Sequence, residues 1–426
     1  MTHPTRTESP KGAVLLLGNY RPTQVIARRL KARGHRIVCG LEGYEGDAEK
    51  SRAVDETWDH PSLSRAPEDF ARALTGFLAA RGDVTAVLPV AEPAVRFFAE
   101  HDMRLPAHVR LVAPDPDLVR RCLDKRFMME LARNCDVPIA PFAEVHDFDA
   151  LTRHAHAIGF PLVIRPASAD TLLFDNKAIT VTDAEDFATY FSLWPAGHEL
   201  LLLQKKAEGP RHNVYFAARN GRIERVLHAL ITRTDRADGS GLALDGVTLP
   251  LDPALKRDCE RLIAALDYTG IGCAQFLVDP DTGTRSFLEI NARIAGNHAV
   301  PEYCGLDLTG FLFDLATAPP SPAPAPLVEG RAGVAYSWLA RDLQVHKGAY
   351  NLGGLALGAY LRAVTSAFAT ALRADVDVGF TWRDPVPGLL QICDELPLIG
   401  KLTRRRKTAA HPAPARASTA HLTRKA

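Results

Sequence analysis

Strand-like and helix-like segments alternate through the N-terminal part of the chain, and this alternation constrains the fold most strongly. Residues 14–17 form an all-apolar run that ends at Gly18-Asn19, which is typical of a buried parallel strand. Pro22 then begins a segment in which Val25, Ile26 and Leu30 share one helical face. The alternation continues as strand, helix, strand, helix and strand through residues 37–39, 70–80, 84–90, 92–100 and 110–113. The pattern predicts a doubly wound α/β sheet over residues 12–114.

A second region, over residues 115–318, mixes helices and strands in an α+β pattern. Asp115-Pro116 combines an N-cap with a first-turn proline and predicts a helix that continues to about Arg133. Asp252-Pro253 begins another helix in the same way. Strands are predicted at residues 162–165, 177–181, 200–205, 273–278 and 285–291, with a helix near 184–193.

Length and composition limit the classes of protein that this chain can be. Its 426 residues suffice for two or three domains, and the apolar fraction of 46% excludes a largely disordered chain. No apolar run approaches the ~20 residues that a membrane-spanning helix needs. Seven cysteines without a C-x-x-C pair argue against a disulfide framework or a structural zinc. Residues 1–11 are interpreted as a disordered N-terminus without a signal peptide, and a cytoplasmic location is predicted.

The C-terminal part is divided by a proline-rich segment and ends in a basic tail. Five prolines within residues 318–326 predict a linker at 319–326, followed by a C-terminal region at 327–400. Residues 401–426 hold eight Lys and Arg and no acidic residue, whereas the rest of the chain has a net charge of −7. One hypothesis is a weak contact of this tail with the inner face of a membrane. The alternative, which Pro397 favours, is a packed segment followed by a solvated tail, and no nucleic-acid partner is predicted.

The sharpest chemical signal is a predicted hairpin whose strands meet at the turn Pro280-Asp281-Thr282-Gly283. Glu289 and Asn291 lie on one face of the second strand, roughly 6.5–7 Å apart. A turn centred near Thr282 places Gln275 opposite Glu289 on that face. One carboxylate and two amides suit a magnesium ion that is shared with phosphate oxygens, and Arg293 could reach a transferring phosphoryl group. The alternative is a half-exposed hairpin whose outer face happens to be polar.

The segment Phe287-Leu288-Glu289-Ile290-Asn291-Ala292-Arg293 resembles the E-x-N-x-R signature of the ATP-grasp superfamily, with Gln275 in the place of its first metal ligand. The resemblance covers roughly residues 13–316 and is nearest to proteins similar to the carbamoyl phosphate synthase large subunit. It implies an N-terminal pre-ATP-grasp domain and an ATP-grasp domain of two subdomains, the lid being residues 142–206. It also implies ATP with Mg²⁺ or Mn²⁺.

The resemblance also implies roles for individual residues. Lys125 and Arg165 match cations that contact the ATP phosphates, and Glu289, Asn291 and Gln275 match the metal ligands. Arg293 and Glu289 would act in catalysis, and Ser168 would contribute through the loop that covers the phosphates. Gln204, Lys205 and Ala207 match the adenine hinge as backbone positions.

The activity that the resemblance implies is ATP-dependent ligation of a small-molecule carboxylate to an amine or another nucleophile through an acyl phosphate. One departure from the family pattern motivates an alternative, because residues 167–174 contain no glycine where relatives have several. This alternative is a catalytically degenerate nucleotide-binding regulatory or scaffold protein. A dinucleotide-dependent enzyme that uses the N-terminal sheet is a third hypothesis, and a homodimer is left open.

Overall fold

The N-terminal residues form a five-stranded sheet whose neighbouring strands are all parallel. The computed structural model describes residues 11–43, 46–167, 171–236, 239–319 and 325–396. The strands are β1 (Lys11–Leu17), β2 (His35–Leu41), β3 (Glu56–Asp59), β4 (Val84–Pro89) and β5 (Arg110–Leu111). The connecting helices are α1 (Arg21–Ala32), α2 (Pro67–Ala79) and α3 (Glu92–Glu100). The strand order β3-β2-β1-β4-β5 confirms the predicted doubly wound sheet.

Two short helices lead from this sheet to a small antiparallel sheet. The helices are α4 (Pro116–Leu123) and α5 (Lys125–Asn134). The sheet has the order β6-β9-β7-β8. Its elements are β6 (Phe142–Val145), α6 (Phe148–Ile158), β7 (Leu162–Pro166), β8 (Ile179–Val181), α7 (Ala184–Tyr190) and β9 (Leu201–Lys205). We call it the lid sheet. Helices α6 and α7 cover one of its faces with a core that includes Leu151 and Phe187.

The third sheet has eight strands, and we call it the main sheet. Its strands are β10 (Arg211–Arg219), β11 (Arg222–Thr234), β12 (Ala243–Leu249), β13 (Gly270–Val278), β14 (Arg285–Asn291), β15 (Val328–Glu329), β16 (Ala335–Ser337) and β17 (Val376–Asp377). Their order is β14-β13-β10-β11-β12-β16-β17, and β15 pairs with β11. The helices of this part are α8 (Pro253–Ala265), α9 (Ala299–Tyr303), α10 (Leu308–Thr317), α11 (Leu339–Asn351), α12 (Leu357–Arg373) and α13 (Pro385–Glu395). The region after residue 327 therefore adds strands to the main sheet.

Two local predictions were wrong. The helix predicted from Asp115 to Arg133 breaks at Asp124, whose φ of −78° and ψ of 102° end α4. The Asp124 carboxylate then caps α5 by accepting a hydrogen bond from Phe127 N at 3.0 Å. The strand predicted from Lys177 begins only at Ile179. Lys125 is consequently the first residue of a helix and does not lie in the middle of one.

The main sheet packs on both faces, which fixes its position against the N-terminal sheet. On one face Tyr215, Ala229 and Cys273 pack with Val14 and Leu88 of the N-terminal sheet in a shared core. On the other face a second core joins the main sheet to α4, α5 and α8. The two faces follow from the alternation of side chains along each strand.

Glu302 on α9 joins the main-sheet part of the chain to α1, and it provides a test of this packing. One carboxylate oxygen lies 2.7 Å from Arg29 Nε of α1, and the other accepts a hydrogen bond from Thr309 N at 2.7 Å. Burial favours the neutral carboxyl group. The neighbouring His298, Thr309 N and Arg29 outweigh this effect and lower the pKa of Glu302 to about 2.

Replacing Glu302 with glutamine should therefore lower the free energy of unfolding at neutral pH by about 3 kcal/mol. The folded-state pKa lies below the ordinary value, so the stabilisation is complete above that value and is lost as the pH falls towards 2. Denaturant unfolding of the wild type and Glu302→Gln should give stabilities that converge in acid. A difference that is independent of pH would contradict this account of Glu302.

No helix among the described residues is long and apolar enough to cross a membrane. The predicted tail at residues 401–426 and most of the predicted linker lie outside the described residues, as does the predicted disordered segment up to residue 10.

Candidate functional site

The predicted hairpin of β13 and β14 is present with the expected pairing. Gln275 lies opposite Glu289, and Cys273 lies opposite Asn291. Asn291 Nδ2 donates a hydrogen bond to Glu289 Oε1 at 2.8 Å. This bond orients the amide so that its oxygen stays available to a further partner. The hairpin thus presents one carboxylate and two amides on one face, as the sequence predicted.

A bulge in β14 separates the polar face from the aromatic core. Gln275 pairs with Glu289 but the next residue, Phe276, pairs with Phe287, so Leu288 has no partner on β13. Without this extra residue Phe287 and Glu289 would share a face, because side chains alternate with period two. Instead Phe287 packs against Phe276 in the helix-covered core, and Glu289 faces the opposite side with Gln275.

A cavity of about 180 Å³ lies along the open edge of β14, beside α3, α4 and α5. Four of the predicted residues line it: Lys125, Glu289, Asn291 and Arg293. Lys177 and Arg96 also line it and were not predicted as site residues. Lys177 follows the glycine-free loop of residues 167–174 and was predicted to lie in a strand, which begins only at Ile179.

Arg293 is held beside this cavity by an ion pair. Its Nη2 lies 2.8 Å from Glu92 Oε2. Glu92 is the first residue of α3, where a carboxylate also interacts favourably with the helix dipole. The pair fixes the direction of the guanidinium, so Arg293 can offer its remaining donors to a ligand in the cavity.

Lys125 occupies the first position of α5, where a positive charge is opposed by the helix dipole. The backbone amides of a helix N-terminus and a neighbouring lysine together favour an anion. Lys125 thus lies where an anion such as a phosphate would be favoured, although the Asp124 carboxylate already accepts from one of these amides.

Arg165 extends from β7 on the face of the lid sheet that α6 and α7 leave uncovered. Its Nη2 donates to Gln204 Oε1 on β9 at 3.3 Å, and its buried Nε has no hydrogen-bond partner among the described residues. Burial lowers the pKa of Arg165, whereas the negative charge of Glu289 acts in the opposite direction. Gln204 Nε2 also contacts Met129 Sδ at 3.7 Å.

The residues predicted to form the adenine hinge differ in how far their backbone hydrogen-bonding groups are already used by the lid sheet. Strand β9 pairs with β6 and β7 on its two sides, which occupies the backbone around Gln204 and Lys205. Lys205 Nζ donates to the carbonyl oxygens of Gly159 and Phe160. Ala207 lies beyond the end of the strand. Ser168 falls outside the described residues.

Gln275 is half-buried beside Glu289 and does not line the cavity. No group of three or more His, Cys, Asp or Glu residues in the described ranges could hold a metal ion. Any metal in this hairpin would therefore be held by oxygens of a single carboxylate and of amides. Such a donor set fits magnesium that shares phosphate ligands, because Mg²⁺ usually takes only one or two protein carboxylates.

Residues 251–320 match the family described as the ATP-binding domain of the carbamoyl-phosphate synthase L chain. Pyruvate carboxylase of Aspergillus terreus is 25% identical over 216 residues, which cover 48% of this chain and 18% of that protein. The alpha subunit of methylcrotonoyl-CoA carboxylase of Arabidopsis thaliana is 23% identical over 225 residues, covering 50% of this chain and 30% of that protein. The chain thus spans less than a third of the length of these relatives.

Solved structures share the fold over a larger part of the chain. A biotin carboxylase complex from Campylobacter jejuni has a TM-score of 0.57 at 17% identity, covering 74% of this chain and 72% of that one. An L-amino acid ligase from Bacillus licheniformis has a TM-score of 0.56 at 16% identity, covering 74% and 76%. Together with the hairpin motif, these matches confirm the resemblance: the chain has the fold of the ATP-grasp superfamily, whose E-x-N-x-R motif it carries on β14.

Proposed function

We propose that this protein is an ATP-dependent ligase that activates a small-molecule carboxylate as an acyl phosphate for attack by an amine or another nucleophile. The observation that carries the proposal is the hairpin face on which Gln275 lies opposite Glu289 and Asn291 donates a hydrogen bond to Glu289. Lys125 and Arg293 line the same cavity as Glu289 and Asn291, so cations suited to phosphate lie beside an oxygen set suited to magnesium. This is the arrangement that a metal-bound nucleoside triphosphate requires.

In this proposal Glu289, Asn291 and Gln275 hold Mg²⁺, which supplies charge neutralisation at the phosphates. Lys125 and Arg165 bind phosphate oxygens, and Gln204 positions Arg165 through its hydrogen bond. Arg293, oriented by Glu92, stabilises the negative charge on the transferring group. The residues around Ala207 receive the base. No residue has to form a covalent bond, because positioning and electrostatics supply the catalysis.

The similar proteins support this class of activity. Their names describe carboxylases, an L-amino acid ligase and, in one ADP complex, an N5-carboxyaminoimidazole ribonucleotide synthetase. One related structure is described as holding MgADP and bicarbonate. Carboxylases and a ligase are thus among the proteins that this chain resembles, and two of the related structures contain ADP.

The test is an assay of ADP release with Mg-ATP and pairs drawn from amino acids, dicarboxylates, bicarbonate and simple amines. A ligase should release ADP only when both a carboxylate and a nucleophile are present. A carboxylate labelled with heavy oxygen should then transfer one labelled oxygen to the phosphate that is released. Release of ADP with phosphate that carries no labelled oxygen would contradict the acyl phosphate.

The glycine-free loop favours one alternative, a nucleotide-binding protein without catalysis. Phe174 and Asp175, which follow the undescribed part of the loop, have positive φ values of 49° and 61°, a conformation that glycine adopts more easily. Binding of Mg-ATP without ADP release over the whole panel would support this alternative.

We also propose that the C-terminal part contacts an anionic membrane surface weakly. Leu357, Leu361 and Leu372 of α12 are at least half exposed, and the only charged residues of this helix are two arginines. This face and the basic tail have the chemistry of an interfacial surface. Flotation with anionic vesicles should recover the full chain but not a chain that ends at Gly400. Equal recovery of the two would contradict the role of the tail.

A further inference from the structure

Arg21, at the start of α1, brings together three segments that are far apart in the sequence. Its Nε donates a hydrogen bond to Gly296 O at 2.6 Å, three residues after Arg293. Its guanidinium carbon lies 3.3 Å from the centre of the Trp338 ring. Stacking on an indole and a bond to a carbonyl fix the plane of the guanidinium before any ligand arrives.

Among the described residues, the contacts of the Arg21 guanidinium are the Gly296 carbonyl and the Trp338 ring, and neither is a carboxylate. The neighbouring cations are each paired, Arg293 with Glu92 at 2.8 Å and Arg341 with Asp235 at 2.6 Å. Burial lowers the pKa of Arg21 to about 10, and the charge of Arg341 acts in the same direction. The desolvation free energy of a buried cation is unfavourable when no anion pairs with it, and a bound anion offsets that free energy.

Asp377 lies near Arg21 but its oxygens are already engaged. They accept hydrogen bonds from the backbone amides of Leu339, Gly379 and Phe380 and one from Ser337 Oγ. Asp377 therefore holds the start of α11 in place and is not oriented towards Arg21 as an ion-pair partner.

Two further features of the surroundings fix the position of the guanidinium and leave a donor without a partner. A Cβ atom on Gly296 would lie 2.5 Å from Arg21 Nη2, so the close approach of the guanidinium depends on this glycine. The buried Nε1 of Trp338 has no hydrogen-bond partner among the described residues. An unsatisfied N–H donor beside an unpaired cation favours an oxygen-rich, negatively charged ligand group.

The position of Arg21 relates it to the reacting centre. The phenol of the preceding residue, Tyr20, donates to Val90 O at 2.8 Å, and Glu92, two residues after Val90, pairs with Arg293. Arg21 itself bonds to Gly296 O, so the segments that hold Arg21 and Arg293 meet where the N-terminal sheet adjoins the loop that follows β14.

We propose that Arg21, stacked on Trp338, binds an anionic group of the non-nucleotide substrate, either a carboxylate or a phosphate. This inference rests on the proposed ligase function, because it assigns Arg21 to the substrate that reacts beside Arg293. It places the substrate among compounds that carry such a group in addition to the atoms that react.

The test is a calorimetric titration with two probes, malonate and inorganic phosphate, into protein that already holds Mg²⁺ and a non-hydrolysable ATP analogue. The analogue occupies the nucleotide phosphates, so the probes report on the remaining anion site. The wild type should bind one or both probes, and Arg21→Gln should weaken that binding at least about tenfold. A preference for malonate indicates a carboxylate, and a preference for phosphate indicates a phosphate ester.

Two variants control for the fold. Lys31→Gln removes an exposed charge from the same helix and should leave probe binding unchanged. Gly296→Ala, which displaces the guanidinium by steric contact, should weaken binding as Arg21→Gln does. Probe binding that is equal in the wild type and Arg21→Gln, or absent from the wild type, overturns the proposal. Failure of the wild type to bind the analogue instead overturns the proposed ligase, and the same titration without analogue then tests Arg21 alone.

Discussion

Replacing Glu289 with glutamine should abolish ATP turnover while leaving the protein folded. Glutamine has nearly the same shape and can keep a hydrogen bond with Asn291, but it removes the single negative charge of the predicted metal set. With Gln275 and Asn291 neutral, the variant would hold Mg²⁺ by amides alone, which bind a hard cation more weakly than a carboxylate does. We expect a loss of at least about a hundredfold in kcat, since this charge acts where phosphoryl transfer develops charge.

The measurement is ADP release under the conditions that give turnover in the wild type, together with thermal unfolding of both proteins. Glu329→Gln is the matched control, because this glutamate is exposed on β15, which pairs with β11 and not with the hairpin strands β13 and β14. It should leave turnover unchanged. Turnover by Glu289→Gln within a few-fold of the wild type would show that the hairpin does not hold the metal.

Replacing Arg165 with leucine should weaken the binding of ATP without lowering the free energy of unfolding. The guanidinium is buried without a partner for Nε, so removing it relieves a desolvation cost and should leave the free energy of unfolding unchanged or higher. Charge-assisted hydrogen bonds to phosphate contribute about 1.5–3 kcal/mol, so ATP affinity should fall by about ten- to a hundredfold. A gain in stability at the expense of binding is characteristic of a residue that serves a ligand.

Arg153→Leu controls for this change, since Arg153 is exposed on α6 of the lid and lies on the covered side of that sheet. Calorimetry with Mg-ATP and denaturant unfolding give the two quantities for each variant. If Arg165→Leu unfolds more easily and binds ATP as the wild type does, Arg165 has a structural role and the proposed phosphate contact is wrong.

The sequence predicted most of what depends on local pattern. Buried parallel strands, the helix caps at Asp115 and Asp252, and the pairing of Gln275 with Glu289 all follow from periodicity, capping chemistry and a recognisable turn. These features require knowledge of only a few neighbouring residues, which is why the hairpin and the pairing of its polar residues could be predicted before the fold was known.

Features that depend on distant residues or on a single irregularity in a helix or strand could not be predicted from the sequence. From the sequence alone, the helices on either side of Asp124 look like one continuous helix. An aspartate caps a new helix only where the chain turns, and the local pattern does not show that turn. The bulge at Leu288 is invisible to a period-two pattern, yet it separates Phe287 from Glu289. Arg21 interacts with Gly296 and Trp338, which no spacing relates to it. The site therefore depends on packing between domains as much as on its motif.

The most direct test of the central claim, that the hairpin of β13 and β14 and the cavity beside it bind a metal–nucleotide complex, is a calorimetric titration of ATP with and without Mg²⁺. The account predicts binding to the wild type that strengthens with Mg²⁺, and a metal effect that disappears in Glu289→Gln. Little binding of Mg²⁺ alone is expected, because one carboxylate and two amides make a weakly charged site. Absence of ATP binding, or a metal effect that survives in Glu289→Gln, would contradict the claim.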